Sequence, residues 1–149
     1  MNPKQIALVR QTWEQIHPNS DAAGAMFYAR LFELDPSLRP LFGADLQPQI
    51  RKLIRTIAMA VASLDRLESL APALRELGSR HTGYGVKDGH YATVGAALLD
   101  TLAAGLAEAF TPEAREAWAE TYALLAETMK NGAAQAGLSG SRSSAFRHQ

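Results

Sequence analysis

The sequence predicts an all-α protein of one domain, with about seven helices around a single core. Apolar residues recur three or four positions apart throughout the chain, which places them on one face of a helix, and no segment alternates as a strand does. The length of 149 residues favours one domain that can bury a core without disulfides. A four-helix bundle fits less well, because it leaves the short segments around Pro36 and His81 as surplus loops.

The first half of the chain predicts two helices and a short helical turn. Regularly spaced apolar residues define a helix from Pro3 to about Ile16 and a second from about Asp21 to Leu34. Pro18 separates them, because proline disfavours helix in the residue before it. Asp35 then caps a turn over Pro36–Phe42, in which proline fits the first helical position.

The second half predicts helices over about Leu46–Leu64, Leu70–Arg80, Asp88–Ala109 and Pro112–Gln135. Asp88 and Thr111 are the expected caps of the last two helices. Residues 137–149 are polar and rich in Gly and Ser, so we expect a folded domain over 1–136 and a disordered tail.

Charge and cysteine content exclude several classes of function. Lys plus Arg and Asp plus Glu each number 15, so nothing indicates binding to nucleic acid or to an anionic membrane surface. The chain has no cysteine, which excludes disulfides, thiolate metal sites and covalent c-type haem attachment. The N-terminus lacks the apolar core of a signal peptide, and unbroken apolar runs are too short to span a membrane. We therefore expect a soluble, cytoplasmic protein.

His81 is the candidate metal ligand. It continues an apolar stripe formed by Leu70, Leu74 and Leu77. A buried imidazole needs a polar partner, and a metal ion can be that partner, although a lone histidine on such a face is usually a hydrogen-bonded core residue. The remaining histidines lie at a helix end, off the apolar face and in the tail: His17, His90 and His148.

A second set of residues can form the other side of such a site. Phe42 ends a proline-initiated turn and can stack against a flat macrocycle. Gln49 and Leu53 lie one helical turn apart and offer a hydrogen-bond donor and a steric gate. Tyr28 on its own is an ordinary core tyrosine. Taken together with His81, these four residues indicate a haem pocket.

The order and spacing of these residues resemble the globin family over about residues 4–135, nearly the whole folded chain. The resemblance is greatest to bacterial single-domain globins and the haem domain of flavohaemoglobins, and it extends to neuroglobin. The segments that carry it are AMFYARLFELDPSLRPLF (25–42), QIRKLIRTIAMAV (49–61), LGSRHTGYGVKDGHYATVG (77–95) and FTPEAREAWAETYALL (110–125).

The resemblance implies a globin fold around haem b (iron protoporphyrin IX). His81 matches the proximal iron ligand, Phe42 the phenylalanine that packs on haem, and Lys52 a basic residue that faces a propionate. Three further positions match haem-contacting residues, namely Val86, Tyr91 and Val94.

The resemblance also assigns the residues that meet a bound gas. Tyr28 and Gln49 match hydrogen-bond donors to the ligand, and Leu53 matches a ligand-contact position. A gap in the match before Gln49 leaves Gln47 as an alternative distal glutamine, although Gln49 aligns better with Leu53. Because glutamine is a poor iron ligand, we expect five-coordinate iron.

Two departures from flavohaemoglobins are informative. Those proteins carry a glutamate late in the last helix that bonds the proximal histidine, whereas residues 130–133 here read Lys-Asn-Gly-Ala, which implies a less anionic His81. The 149 residues also leave no room for a reductase domain. The expected function is binding of O2, CO and NO with slow O2 release, together with NO dioxygenation supported by a separate reductase. The alternative is a gas or redox sensor that acts through a protein partner.

Overall fold

A computed structural model describes the backbone of residues 1–83 and 87–139 and the side chains of residues 1–80, 87 and 89–132. Within these residues the chain forms six α-helices, four 3₁₀-helices and no strand, which confirms the all-α prediction. The α-helices are α1 (Pro3–Ile16), α2 (Ser20–Leu34), α3 (Gln47–Ala62), α4 (Ala71–Gly83), α5 (Asp88–Leu106) and α6 (Pro112–Ser139). The 3₁₀-helices span His17–Asn19, Pro36–Leu41, Leu64–Leu70 and Ala107–Ala109.

The predicted helix starts are mostly confirmed. The Asp35 carboxylate accepts a hydrogen bond from the Ser37 N–H at 3.0 Å, and the Thr111 hydroxyl accepts one from the Ala114 N–H at 3.1 Å. The prediction for α5 was wrong, because Asp88 is the first residue of the helix and the residue before it is the cap. The N–H of the cap residue, Lys87, donates to the Nδ1 atom of His90 at 3.0 Å, so the imidazole holds the first turn in place of a carboxylate.

Two helices extend beyond their predicted ends. α4 continues to Gly83, so the backbone of His81 is helical. α6 continues to Ser139, so the first three residues of the segment predicted as a tail, 137–139, belong to the helix. Residues 140–149 lie outside the described residues, and both the tail and the domain boundary at 136 stay predictions.

The main apolar core joins α1, α5, α6 and the end of α3. Trp118 of α6 lies at its centre with 2 % of its surface exposed, and its Nε1–H donates to the Thr12 hydroxyl of α1 at 2.8 Å. The Thr12 hydroxyl in turn donates to the Leu8 carbonyl at 2.7 Å, so both buried polar groups are satisfied. Around them pack Val9, Trp13, Ile16, Val61, Leu64, Leu102, Leu106 and Ala117.

A second apolar cluster lies between α2, the start of α3 and the middle of α5. Its buried members are Phe27, Tyr28, Leu31, Leu38, Ile50 and Ala97. Half-buried side chains pack against it, among them Phe42, Leu53 and Val94. This second cluster therefore contains most of the described side chains that the sequence assigns to the candidate site.

α4 and α6 approach each other closely enough for their backbones to touch. A Cβ atom at Gly78 of α4 would collide with the Met129 carbonyl oxygen, and one at Gly132 of α6 would collide with the Arg75 carbonyl oxygen. Each glycine therefore lies where the other helix leaves no room for a side chain. This contact fixes the height and tilt of the helix that carries His81.

Helix α5 is apolar on most of its surface. By length and composition, residues Gly89–Ala109 could cross a membrane, although the apolar residues of this segment are interrupted by polar ones. In the fold this helix packs against both α2 and α6. These neighbours bury 28% of its most apolar stretch, and a single helix of this composition is weak evidence for a membrane span, because core helices of soluble proteins have the same composition.

The hydrogen bond between Thr12 and Trp118 yields a stability prediction. Thr12→Val keeps the side-chain shape but leaves the buried indole N–H without an acceptor, so we expect a loss of about 1–3 kcal/mol in the free energy of unfolding. Urea denaturation of the two proteins measures this loss, which corresponds to a fall of roughly 3–10 °C in Tm.

The matched control is Thr128→Val on α6. The Thr128 hydroxyl donates to the Leu124 carbonyl of its own helix at 3.0 Å, whereas the Trp118 indole donates to Thr12. We expect a change of at most about 0.5 kcal/mol at this position. Equal losses in Thr12→Val and Thr128→Val would show that the hydrogen bond from the Trp118 indole to Thr12 does not stabilise the fold.

Candidate functional site

Three aromatic rings form a wall where α2 meets the Pro36–Leu41 turn. Tyr28 and Phe32 lie one helical turn apart on α2, and Phe42 follows the turn directly. The Phe42 ring centroid lies 5.4 Å from that of Tyr28 and 5.5 Å from that of Phe32, and both pairs meet edge to face. The Asp35 cap and the two prolines fix the course of the turn, and the turn positions Phe42 beside Tyr28 and Phe32.

The hydroxyl group of Tyr28 points at the start of α3. The side chain is 6 % exposed, and its hydroxyl donates to the backbone carbonyl of Gln49 at 3.4 Å. Burial raises the pKa of Tyr28 to about 12, so the hydroxyl stays protonated and remains a donor at physiological pH. Gln49 is half-buried on the first turn of α3, whereas Gln47, the alternative, is exposed.

Leu53 lies one turn after Gln49 and faces the interior. It lines a small cavity of ≈ 50 Å³ together with Phe27 of α2 and Val94 of α5. The remaining lining side chains come from α3, α5 and α6 and are mostly apolar. The structure therefore brings Tyr28, Phe42, Leu53 and Val94 to one apolar region, as the sequence predicts.

The predicted metal ligand lies on α4, which packs mainly against α6. Leu74 is buried and Leu77 half-buried, in keeping with the stripe that predicts the inward face of α4. Residue 81 belongs to the last turn and a half of α4, but the side chain of His81 lies outside the described residues. The same holds for Val86, so both assignments stay predictions.

Helices α3 and α4 are held in place by different neighbours. α4 packs against α6 and the Leu64–Leu70 turn, while α3 packs against α1 and α2. In the described part of the chain α3 and α4 make no extensive contact with each other. Phe42, Leu53 and Val94 remain only half-buried although all three are apolar. A porphyrin ring would cover such side chains, and one histidine on α4 suits an iron that needs a single protein ligand.

Lys52 differs from the other candidates because its side chain is exposed. It lies on α3 between exposed Arg51 and half-buried Leu53, so its ammonium group can reach solvent at the rim of the apolar region. Its backbone carbonyl accepts a hydrogen bond from the Thr56 hydroxyl at 2.8 Å. The predicted contact with a propionate is compatible with this position and stays a prediction.

Two other histidines have local roles at helix ends. The exposed His17 ring lies 5.7 Å from the Trp13 ring in an edge contact. The Nδ1 atom of His90 accepts a hydrogen bond from the Lys87 N–H at 3.0 Å, which ties down the start of α5. Neither residue lies on the stripe that leads to His81, and His148 lies outside the described residues.

Tyr91, the predicted neighbour of His81, lies buried in the first turn of α5 and contacts two residues of α6. Tyr122 donates its hydroxyl hydrogen to the Tyr91 carbonyl at 2.7 Å, and burial, followed by the charge of Tyr91, raises the pKa of Tyr122. The Nζ atom of Lys130 lies 5.5 Å from the Tyr91 ring centroid. The sequence shows that residues 130–133 lack the glutamate that flavohaemoglobins carry late in the last helix. The contact of Lys130 with Tyr91 was not predicted. The glycines inside α4 and α6 were the available signal, since an isolated glycine within a helix often marks a close approach.

Comparison with solved structures identifies similar folds. An engineered carbene transferase from Rhodothermus marinus, described as a proposed nitric oxide dioxygenase, superposes with a TM-score of 0.85 at 28% identity and covers 95% of this chain and 99% of its own. A bacterial globin from Campylobacter jejuni gives a TM-score of 0.80 at 23% identity, covering 90% of this chain and 97% of its own. A hexacoordinated haem protein from an anhydrobiotic tardigrade gives 0.81 at 18% identity, covering 89% and 95%. The last two show likeness of fold alone.

Comparison of sequences gives the family. Neuroglobins from Dissostichus mawsoni and Danio rerio are each 32% identical to this chain over 151 aligned positions, which cover 92% of this chain and 95% of each relative. The family model described as Globin matches residues 25–129, which run from within α2 through α5 and include most of α6. Because the fold and the sequence match agree, the chain belongs to the globin family.

Proposed function

We propose that this globin binds O2, and also CO and NO, at a five-coordinate haem b held by His81, and that it releases O2 slowly. The observation that carries the proposal is the buried Tyr28 hydroxyl beside Gln49, in the apolar cluster between α2, the start of α3 and the middle of α5. Family membership already implies haem-based binding of small gases. The proposal adds which residues hold the haem and the gas, and how these residues affect the rate of O2 release.

Haem b, when bound, supplies an iron with one coordination position left for a gas molecule. Of the described side chains, Phe42, Leu53 and Val94 would pack on the ring, and Lys52 would meet a propionate at the rim. His81 would supply the single protein ligand from α4, with Tyr91 on the same side as that imidazole. The apolar walls exclude water and so strengthen every polar contact within the pocket.

Tyr28 and Gln49 supply hydrogen bonds to a ligand that carries negative charge. The single hydrogen of the protonated Tyr28 hydroxyl donates to the Gln49 carbonyl at 3.4 Å in the empty protein and would turn from this long bond to a bound gas. The half-buried Gln49 side chain carries two amide hydrogens. Bound O2 carries partial negative charge, whereas CO carries much less, so the two donors favour O2. Each charge-assisted bond in a dry pocket contributes about 1.5–3 kcal/mol, and about 1.4 kcal/mol is a factor of ten in a rate.

A glutamine opposite the iron also bears on coordination. A glutamine amide is a far weaker iron ligand than an imidazole, so Gln49 would not compete with a gas for the iron. A gas molecule would then bind without first displacing a side chain. We therefore propose five-coordinate iron for this chain, in contrast to the tardigrade protein of similar fold, which is described as hexacoordinated.

Slow O2 release suits a chemical role, and we propose NO dioxygenation as that role. NO and O2 together with one electron give nitrate, and a separate reductase in the cytoplasm would supply the electron. The contribution of this chain is to hold O2 by Tyr28 and Gln49 until NO arrives. The similarity to the Rhodothermus marinus protein, itself described as a proposed nitric oxide dioxygenase, supports this assignment. The alternative, a gas or redox sensor, would need a segment that contacts its protein partner. The candidate is 137–149, and most of these residues lie outside the described part of the chain.

The spectrum of the haem-loaded, ferrous, ligand-free protein tests the central assignment. We expect a strong Soret band with one broad visible band, because only His81 ligates the iron. His81→Ala should lose the haem on gel filtration, whereas His17→Ala, which alters an exposed histidine beside Trp13, should keep it. Two sharp visible bands would mean an internal sixth ligand and would contradict the open site.

The role of Tyr28 predicts a change in the O2 dissociation rate. Tyr28→Phe removes one donor without changing the ring, so O2 should leave roughly 10- to 100-fold faster, and CO much less so. Stopped-flow displacement of O2 by CO measures both rates. Thr12→Val serves as the control, because it removes a hydroxyl from the distant core and should leave the O2 rate unchanged. An unaltered O2 rate in Tyr28→Phe would reject the tyrosine's role.

NO dioxygenation predicts turnover as well as a single reaction. With NADH and a cell extract that contains reductases, the haem-loaded protein should consume NO over many cycles and yield one nitrate per NO. Tyr28→Phe should lower the rate at limiting O2, because the pocket retains O2 for a shorter time. Consumption of one NO per haem, with no further turnover in any extract tested, would favour gas binding without catalysis.

A further inference from the structure

A lysine occupies the part of α6 that faces the start of α5. The Nζ atom of Lys130 lies 5.5 Å from the centroid of the Tyr91 ring, within the range of a cation–π contact. Tyr91 is only 6 % exposed, and Lys130 is half-buried. The ammonium group therefore approaches the buried ring instead of extending fully into solvent.

The backbone contact between α4 and α6 determines where this lysine lies. The Met129 carbonyl, directly before Lys130, touches α4 at Gly78, and Gly132 touches α4 at Arg75. Lys130 is thus flanked on both sides by points where the two helices meet. The two contacts run in opposite directions along the helices, so Lys130 lies level with the turn of α4 that comes just before His81.

The ring that meets the lysine is itself fixed by α6. Tyr122 donates a hydrogen bond to the Tyr91 carbonyl at 2.7 Å, and Tyr122 lies two turns before Lys130 on the same helix. Among the described carboxylates, none lies within 4.0 Å of the Lys130 ammonium group. A half-buried charge of this kind is screened less than a charge in solvent, so it acts over a longer distance.

We propose that Lys130 is a positioning residue that places a positive charge on the His81 side of the haem and so favours ferrous over ferric iron. The inference rests on the proposed function, since it requires haem on His81. Ferric haem carries one more positive charge than ferrous haem, so a nearby cation disfavours the ferric state. The same cation withdraws electron density from Tyr91 and opposes anionic character in the imidazole.

The midpoint potential of the loaded protein measures this effect. Lys130→Met should lower the potential, and Lys130→Glu should lower it further, each step corresponding to a change of about three- to tenfold in the ferrous-to-ferric ratio at a fixed electrode potential. Lys130→Arg should keep the wild-type value, because it keeps the charge. The control is Lys4→Met, which removes an equal charge from an exposed position on α1.

A second readout separates charge from packing. Resonance Raman spectra of the ferrous protein should show the iron–histidine stretching band move to higher frequency in Lys130→Glu, because the imidazole becomes more anionic, and not in Lys130→Arg. A potential in Lys130→Met equal to that of Lys4→Met would overturn the inference. A change in Lys130→Arg as large as that in Lys130→Met would also overturn it, since the role would then be steric.

The outcome also distinguishes this inference from the proposed function. A wild-type protein that shows no Soret band after haem loading overturns both. A wild-type protein with a normal Soret band and potentials that do not depend on Lys130 overturns the role of the lysine alone. Potentials that fall in the order wild type, Lys130→Met and Lys130→Glu support it.

Discussion

The contact between the backbones of α4 and α6 is the constraint on which the rest of the site depends. Within the described residues, α4 has extensive contacts only with α6 and with the turn that precedes it, so α6 decides where the end of α4 lies. Gly78 and Gly132 allow an approach that no other residue would permit. The position of α4, and with it the backbone of His81 and the place of Lys130, depends on this one interaction. A methyl group at either glycine would push α4 away from its support.

Two apolar clusters differ in their relation to the predicted site. The cluster around Trp118 joins α1, α5 and α6, and none of its described buried members is a predicted site residue. The cluster around Tyr28 and Leu31 lies between α2, α3 and α5, and Phe42, Leu53 and Val94 border it. Half-buried apolar side chains border both clusters, so burial alone does not distinguish them. The second cluster is distinguished by the residues that the sequence assigns to haem.

The sequence predicted the parts of the fold that local chemistry determines. Apolar spacing predicted the first three α-helices to within two residues at each end. The caps Asp35 and Thr111 were also predicted, because each carries a side-chain oxygen and directly precedes a proline. Asp88 was misplaced by one residue, because neighbouring residues compete for a cap. The bond between Thr12 and Trp118 joins residues 106 positions apart, and no local pattern predicts which side chains meet over such a separation.

The candidate site shows the same division. Tyr28, Phe42, Leu53 and Val94 could be brought together on the strength of family resemblance, and the structure places them in one region. The contact of Lys130 with Tyr91 could not be predicted from the sequence, because it depends on how α4 and α6 cross and not on the neighbours of Lys130 in the chain. The side chain of His81 and residue Val86 lie outside the described residues, so their part of the site rests on the sequence.

The hydrogen bond of Tyr28 has a consequence for how this pocket can evolve. Its acceptor is the backbone carbonyl of residue 49, which every amino acid carries. Exchange of Gln49 for another side chain would therefore alter the second donor without removing the partner that orients the tyrosine. If Gln49 donates to a bound gas as proposed, single substitutions at position 49 would change selectivity among gases while Tyr28 kept its backbone partner.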